Sequence, residues 1–196
     1  MKITNLALIL IVALFSFACD EKKPSDNEEQ HAHEPAESET TAKKVSKSPA
    51  TEVMANIGTT HVHIAYHAPS ARGRTIFGGL VAYDEIWVTG AHSATSIEFY
   101  NDVTLNEQKV PKGKYALFTI PGETSWKIII NKNFEQHLAD DYDASLDVIR
   151  IEVAPEELSE LQEQLLYEII SRDDQTGIIR ISWDKTLVQF EVKILE

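Results

Sequence analysis

Short runs of alternating apolar and polar residues begin after Pro49 and continue to the end of the chain. The clearest covers 61–67. There Val62, Ile64 and Tyr66 fall on one side and His61, His63, Ala65 and His67 on the other, because successive strand side chains point to opposite faces. Gly58-Thr59 before it marks a turn from a preceding strand over 52–57. Pro69, Ser70 and Gly73 make 68–74 a loop, and a short strand carrying Trp87 is expected over 85–89. Thr95, Ile97 and Phe99 share a face in 95–100, and 103–105 runs into a turn at Asn106-Glu107. Pro111-Lys112-Gly113 is a strong turn signal, followed by a strand over 114–120, a turn at Pro121-Gly122 and an antiparallel return over 126–131. The alternation resumes over 148–153.

The segment 156–171 supports two patterns. Leu158, Leu161, Leu165 and Ile169 after Pro155 have helical spacing, while 164–170 also fits a strand; the expectation is a helical turn over 156–161 followed by a strand. Strands over 177–183 and 187–194 are expected to close the domain as a hairpin through Asp184-Lys185. Many short strands separated by turns imply a mostly β domain, an antiparallel β-sandwich or jelly-roll-like fold with at most short helices, and not a βαβ fold.

The first 47 residues have a different pattern. Lys2 precedes an apolar run over 6–17, about a dozen residues and too short for a permanent span, so 1–18 has the form of a signal peptide. Ser16-Phe17-Ala18-Cys19, with Asp20-Glu21-Lys22-Lys23 directly after, resembles the bacterial lipobox, with Ser16 where Leu is usual. In that motif the Cys19 thiol carries a diacylglyceryl group and the leader is cut before it. Each buried methylene contributes roughly 0.8 kcal/mol, so two or three acyl chains give a stable membrane anchor. The segment 19–47 is rich in Glu, Lys, Ser, Thr, Ala and Pro and lacks aromatics, the composition of a disordered acidic linker. Its His31-x-His33 pair is either a metal scavenger or two solvated side chains. These features predict secretion across an inner membrane, lipid anchoring in a cell envelope, and one β domain over 48–196.

Composition narrows the function. The net charge is −13, and −11 of it lies on the domain from Ser48 onward. Such acidity disfavours nucleic acid, whose binding needs a basic patch, and suits solubility, a cationic ligand or a divalent metal. Cys19 is the only cysteine, so the chain can form no internal disulfide and has no thiol for catalysis apart from the lipidation site. No G-x-S-x-G elbow, phosphate loop or dinucleotide fingerprint is present.

Several blocks are distinctive. They are Tyr66-His67-Ala68-Pro69-Ser70-Ala71-Arg72-Gly73-Arg74-Thr75-Ile76-Phe77-Gly78, then Ile86-Trp87-Val88-Thr89-Gly90-Ala91-His92-Ser93-Ala94-Thr95, Pro111-Lys112-Gly113-Lys114-Tyr115 and Phe118-Thr119-Ile120-Pro121, with Trp126 and Asn131 beyond. Together they resemble the domain of unknown function 2911 family of secreted and lipoprotein chains, over about 49–194. The resemblance implies no reaction. This chain departs from the family pattern at Val88, where Arg is usual after the Trp, and at His92, where Asn is usual.

The candidate chemistry is sparse. His61, His63 and His67 share one strand face with i, i+2 neighbours roughly 7 Å apart, which presents imidazoles either to a divalent metal, with His92 or an acid as a further ligand, or simply to solvent. Arg72 and Arg74 either clamp a carboxylate or phosphate or pin a long loop through backbone carbonyls. Tyr66 and Trp87 either line a ligand pocket or belong to the core, where Trp126 and Trp183 are placed. The leading expectation is a non-catalytic ligand- or partner-binding envelope module with its site over 68–90. The alternatives are a metal-dependent enzyme built on His63, His67 and His92, and a purely structural lipoprotein.

Overall fold

Ten strands build the domain in the computed structural model, which describes residues 46–195. They are β1 (Ala50–Ile57), β2 (Thr60–His67), β3 (Ser96–Phe99), β4 (Val103–Leu105), β5 (Gln108–Val110), β6 (Gly113–Ile120), β7 (Trp126–Asn131), β8 (Asp147–Val153), β9 (Glu156–Ser171) and β10 (Thr176–Ile194). One 3-10 turn, Ala144–Leu146, precedes β8. The signal peptide, Cys19, His31, His33 and nearly all of the expected linker lie outside the described residues. Among the described residues no helix is long and apolar enough to cross a membrane.

The strands form two antiparallel sheets, ordered β1-β2-β3-β6-β7-β8 and β5-β4-β10-β9. The first is a meander from which the β4–β5 hairpin departs into the second. The alternation over β2 has the predicted sense: Val62, Ile64 and Tyr66 are buried and the histidines half-buried. Ile64, Ile97, Leu117 and Ile128 from the first sheet share one core with Leu105, Tyr167, Ile179 and Phe190 from the second. The fold is therefore the expected antiparallel sandwich. Its sheet edges approach each other: β1 lies against β9, and Gln108 on β5 donates its side-chain amide to the Arg150 carbonyl on β8 at 3.0 Å.

Three elements differ from the sequence expectation. Residues 156–161 are strand, part of the sixteen-residue β9. Glu156 and Glu157 pair with Leu187 and Thr186 of β10, and Leu161 is exposed rather than packed. The leucine spacing there does not define a buried helical stripe, and the available ladder decides the conformation. Asp184-Lys185 is not a hairpin turn either. Asp184, at φ 56°, sits in a bulge within one continuous β10. The bulge lets one half of β10 pair with β9 while Val192–Ile194 pairs with β4. The segment 85–89 is irregular: Trp87 alone pairs with Thr119, between Asp84 and Thr89 at φ 60° and 53°.

The outer face of the first sheet carries a second, smaller core. Ala116 and Phe118 on β6 and Ile129 on β7 point away from the sandwich interior and are buried with Val88 and Ala94. Two loops, 84–94 and 132–146, fold over them and add Phe134, Ala139 and Tyr142. These loops cover β6 and β7 and leave the outer face of β1, β2 and β3 open.

Candidate functional site

The edge of that loop cover and the open part of the sheet enclose a groove of about 760 Å³. β1 contributes Ala50, Thr51 and Glu52, and β2 contributes Ala65 and His67; Ser96 and Lys114 follow from β3 and β6. Glu52, Ala65, Ser96 and Ala116 are successive register partners across four strands, so they form one row on the outer face. The far wall is the loop stretch Phe134–His137. It is fixed to 92–94 by a short antiparallel pairing, with Leu138 N–H donating to the His92 carbonyl at 2.6 Å and Ala94 N–H to the Gln136 carbonyl at 3.0 Å.

The wall is held from below. Buried Asn131 donates its side-chain amide to the Asp143 carbonyl at 2.9 Å and to Asp147 Oδ1 at 2.7 Å. Tyr142 donates to Asp147 Oδ2 at 2.8 Å, and Arg150 donates to both Asp147 and Tyr142. Burial and the Asp147 carboxylate push the Tyr142 phenol up to about 12.

All five histidines of the described residues lie on this side of the molecule. His61 sets Nδ1 2.8 Å from Asn56 Oδ1 and packs edge-on against exposed Tyr100. His63 Nε2 is 3.0 Å from Glu52 Oε2. His67 and His92 meet ring to ring at 5.1 Å, edge to face. Burial holds the His67 imidazole below its ordinary value, and the neighbouring His92 adds to that effect. His137 Nδ1 is 3.0 Å from Asp140 Oδ2 on the exposed far wall. Lys114 extends its ammonium over the Phe134 ring, 5.1 Å from the centroid. Among the described residues no three His, Cys, Asp or Glu side chains are grouped so as to hold a metal ion. His61, His63 and His67 share a face as expected, but each is engaged with a different neighbour.

The other expected ligand-binding side chains point elsewhere. Tyr66 is buried in the main core, its ring 4.5 Å from that of Tyr167, and its hydroxyl accepts from the Tyr167 N–H at 3.3 Å. Burial raises both phenols, Tyr167 the further. Trp87 stacks on Trp183 and meets Phe77 and Trp126 edge-on. Arg74 donates to the Ala71 and Ser70 carbonyls, and Arg72 to the Lys47 carbonyl, so both guanidinium groups bind backbone. The 68–90 segment packs into the fold, with Ile76 fully buried; beside it a smaller depression of about 410 Å³ is bordered by Tyr83, Asp84 and Glu123.

Of the expected residues, His67 and Tyr66 border the groove, Tyr66 with its ring turned into the main core, and His92 lies against His67. Glu52, Lys114, Phe134, Glu135, Gln136 and His137 carried no individual signal. The outward alternation of Ala50, Glu52, Met54 and Asn56 beside the histidine face was the one pattern that could have pointed to them.

Fold and groove together define an antiparallel β-sandwich domain with an open site on the outside of one sheet. The chain belongs to the family described as protein of unknown function, DUF2911, whose model matches residues 48–192. No curated protein and no solved structure matches the chain.

Proposed function

We propose that this protein is a cell-envelope lipoprotein, anchored through Cys19, whose β domain binds a small ligand or an envelope partner without catalysing a reaction. The binding reading is carried by the groove beside β1–β3. It combines exposed acids, imidazoles, hydroxyls and one aromatic ring on a rigid sheet, within the size range of small-molecule sites, roughly 300–1,000 Å³. The anchor reading is supported by the lipobox-like Ser16–Cys19 and by the lone cysteine. The acidic domain supports a partner other than nucleic acid.

Two experiments test this. Mass spectrometry of the mature N-terminus should find a lipid-modified Cys19; an unmodified start elsewhere overturns the anchor. For the groove, the purified full-length chain is incubated with a small-molecule extract of the cell envelope, and retained compounds are compared with those held by Ala65→Trp. Ala65 faces outward in the groove, so the indole fills the site without entering the core. Loss of a retained compound in that variant supports the reading, and identical retention by both proteins overturns it. The competing reading, a metal-dependent enzyme on His63, His67 and His92, draws on the His67–His92 contact. Stoichiometric zinc, copper or iron in protein purified without a histidine tag would favour it.

A further inference from the structure

We infer that the groove takes a neutral, polyhydroxylated ligand, a short uncharged oligosaccharide. This rests on the binding reading above and specifies its ligand class.

Electrostatics disfavours an anion, and one lysine in the lining stands against a cation. The domain carries −11, which repels anions approaching from solution. Within the groove Lys114 stands against a cation, while Glu52 and Glu135 stand against an anion. Burial, and to a lesser extent His92, favour the neutral form of His67. The fixed charges of the lining, one lysine against two glutamates, leave a net of −1.

The hydrogen-bonding groups fit hydroxyls. Ser93 and Ser96 line the groove with side chains that both donate and accept, and a neutral imidazole at His67 does the same. A sugar hydroxyl has the same dual character, so donors and acceptors can be matched without leaving a charge unpaired. Glu52 spends one oxygen on His63 and keeps the other for a ligand hydroxyl. Leu138 N–H and Ala94 N–H bond across the loops on either side of the Ser93–His137 pair. That makes it a non-hydrogen-bonded pair, the kind whose side chains stand closest, and both residues line the groove. Between these polar groups lie Ala50, Ala65, Ala94 and the Phe134 ring, apolar surface against which the C–H faces of a pyranose can pack.

The test uses three β-1,4-linked tetrasaccharides of one sugar configuration that differ mainly in charge: cellotetraose, tetraglucuronate and tetraglucosamine. Each is titrated calorimetrically into the full-length chain at pH 7. Cellotetraose is expected to bind, and to lose about tenfold in affinity in Glu52→Ala and in His137→Ala, since each removes a hydrogen-bonding group from the site. Both substitutions are at exposed positions, and an unchanged melting temperature confirms that the fold is intact. Ala65→Trp should abolish binding. Tighter binding of either charged tetrasaccharide overturns the inference and leaves the binding reading standing. Absence of sugar binding while an envelope compound is still lost in Ala65→Trp does the same. If neither sugars nor extract distinguish the wild type from Ala65→Trp, both fall.

Discussion

Asn131 is fully buried, and its side-chain amide supplies two hydrogen bonds, to the Asp143 carbonyl and to Asp147. Replacing it by alanine leaves a nearly buried carboxylate with one donor fewer and the Asn133 N–H without its side-chain acceptor. Asn131→Ala should cost about 2–3 kcal/mol in urea unfolding, because buried groups stripped of a partner bear their full desolvation penalty. His67 contributes to the acid side of the pH response. Its folded state favours the neutral ring, so its contribution is intact above the ordinary value of 6.5 and is lost as the pH falls below that. An NMR titration should place His67 below 6.5. His92→Ala should move it only part of the way back, because burial is the larger cause. The inward and outward sides of β2 were legible from the sequence because strand alternation has period 2 whatever the strand's neighbours. The roles of Glu52 and Lys114 were not, since they depend on which strands lie side by side.

At the scale of elements, the β1–β2 turn shows how one backbone position ties two parts of the chain together. Gly58 has φ 52°, and a Cβ there would lie 1.8 Å from the Asp174 carbonyl in the β9–β10 turn. Gly58→Ala therefore combines a strained backbone with a clash against main chain. It should destabilise the domain by about 3 kcal/mol, read as a lower urea midpoint. Most strands announced themselves through alternation and turn residues. The first part of β9, residues 156–161, did not, because four leucine-type residues at helical spacing mimic an amphipathic helix and only the pairing with β10 selects the strand. Asp184-Lys185 misled in the opposite way, since residues suited to a hairpin turn serve equally well in a bulge. The loop 132–146, which forms the groove wall, has no periodicity at all; side-chain hydrogen bonds from Asn131, Tyr142 and Arg150 give it its shape.

For the molecule as a whole, all three tryptophans meet in one cluster. Trp87 stacks on Trp183 at 5.8 Å, and Phe77 and Trp126 close around them. They come from the loop before β3, from β7 and from β10, so the cluster exists only when both sheets are assembled. Intrinsic fluorescence should therefore shift to the red in a single step during urea unfolding and coincide with the loss of the β signal in circular dichroism. Two separated transitions would show that the sheets come apart independently.

The stretch Pro69–Ala71 lies along part of the outer edge of β9. Ala71 N–H donates to the Glu163 carbonyl at 2.7 Å, and Leu165 N–H donates to the Pro69 carbonyl at 2.9 Å. Gln164 adds a bond from its side chain to the Ala68 carbonyl. An uncovered strand edge is a template for adding another chain, and the outward face of β9 carries apolar Leu166 and Ile170. The loop therefore acts as a stopper against self-association. Damage to it would appear first as fibrils or insoluble protein, before any loss of the native sandwich.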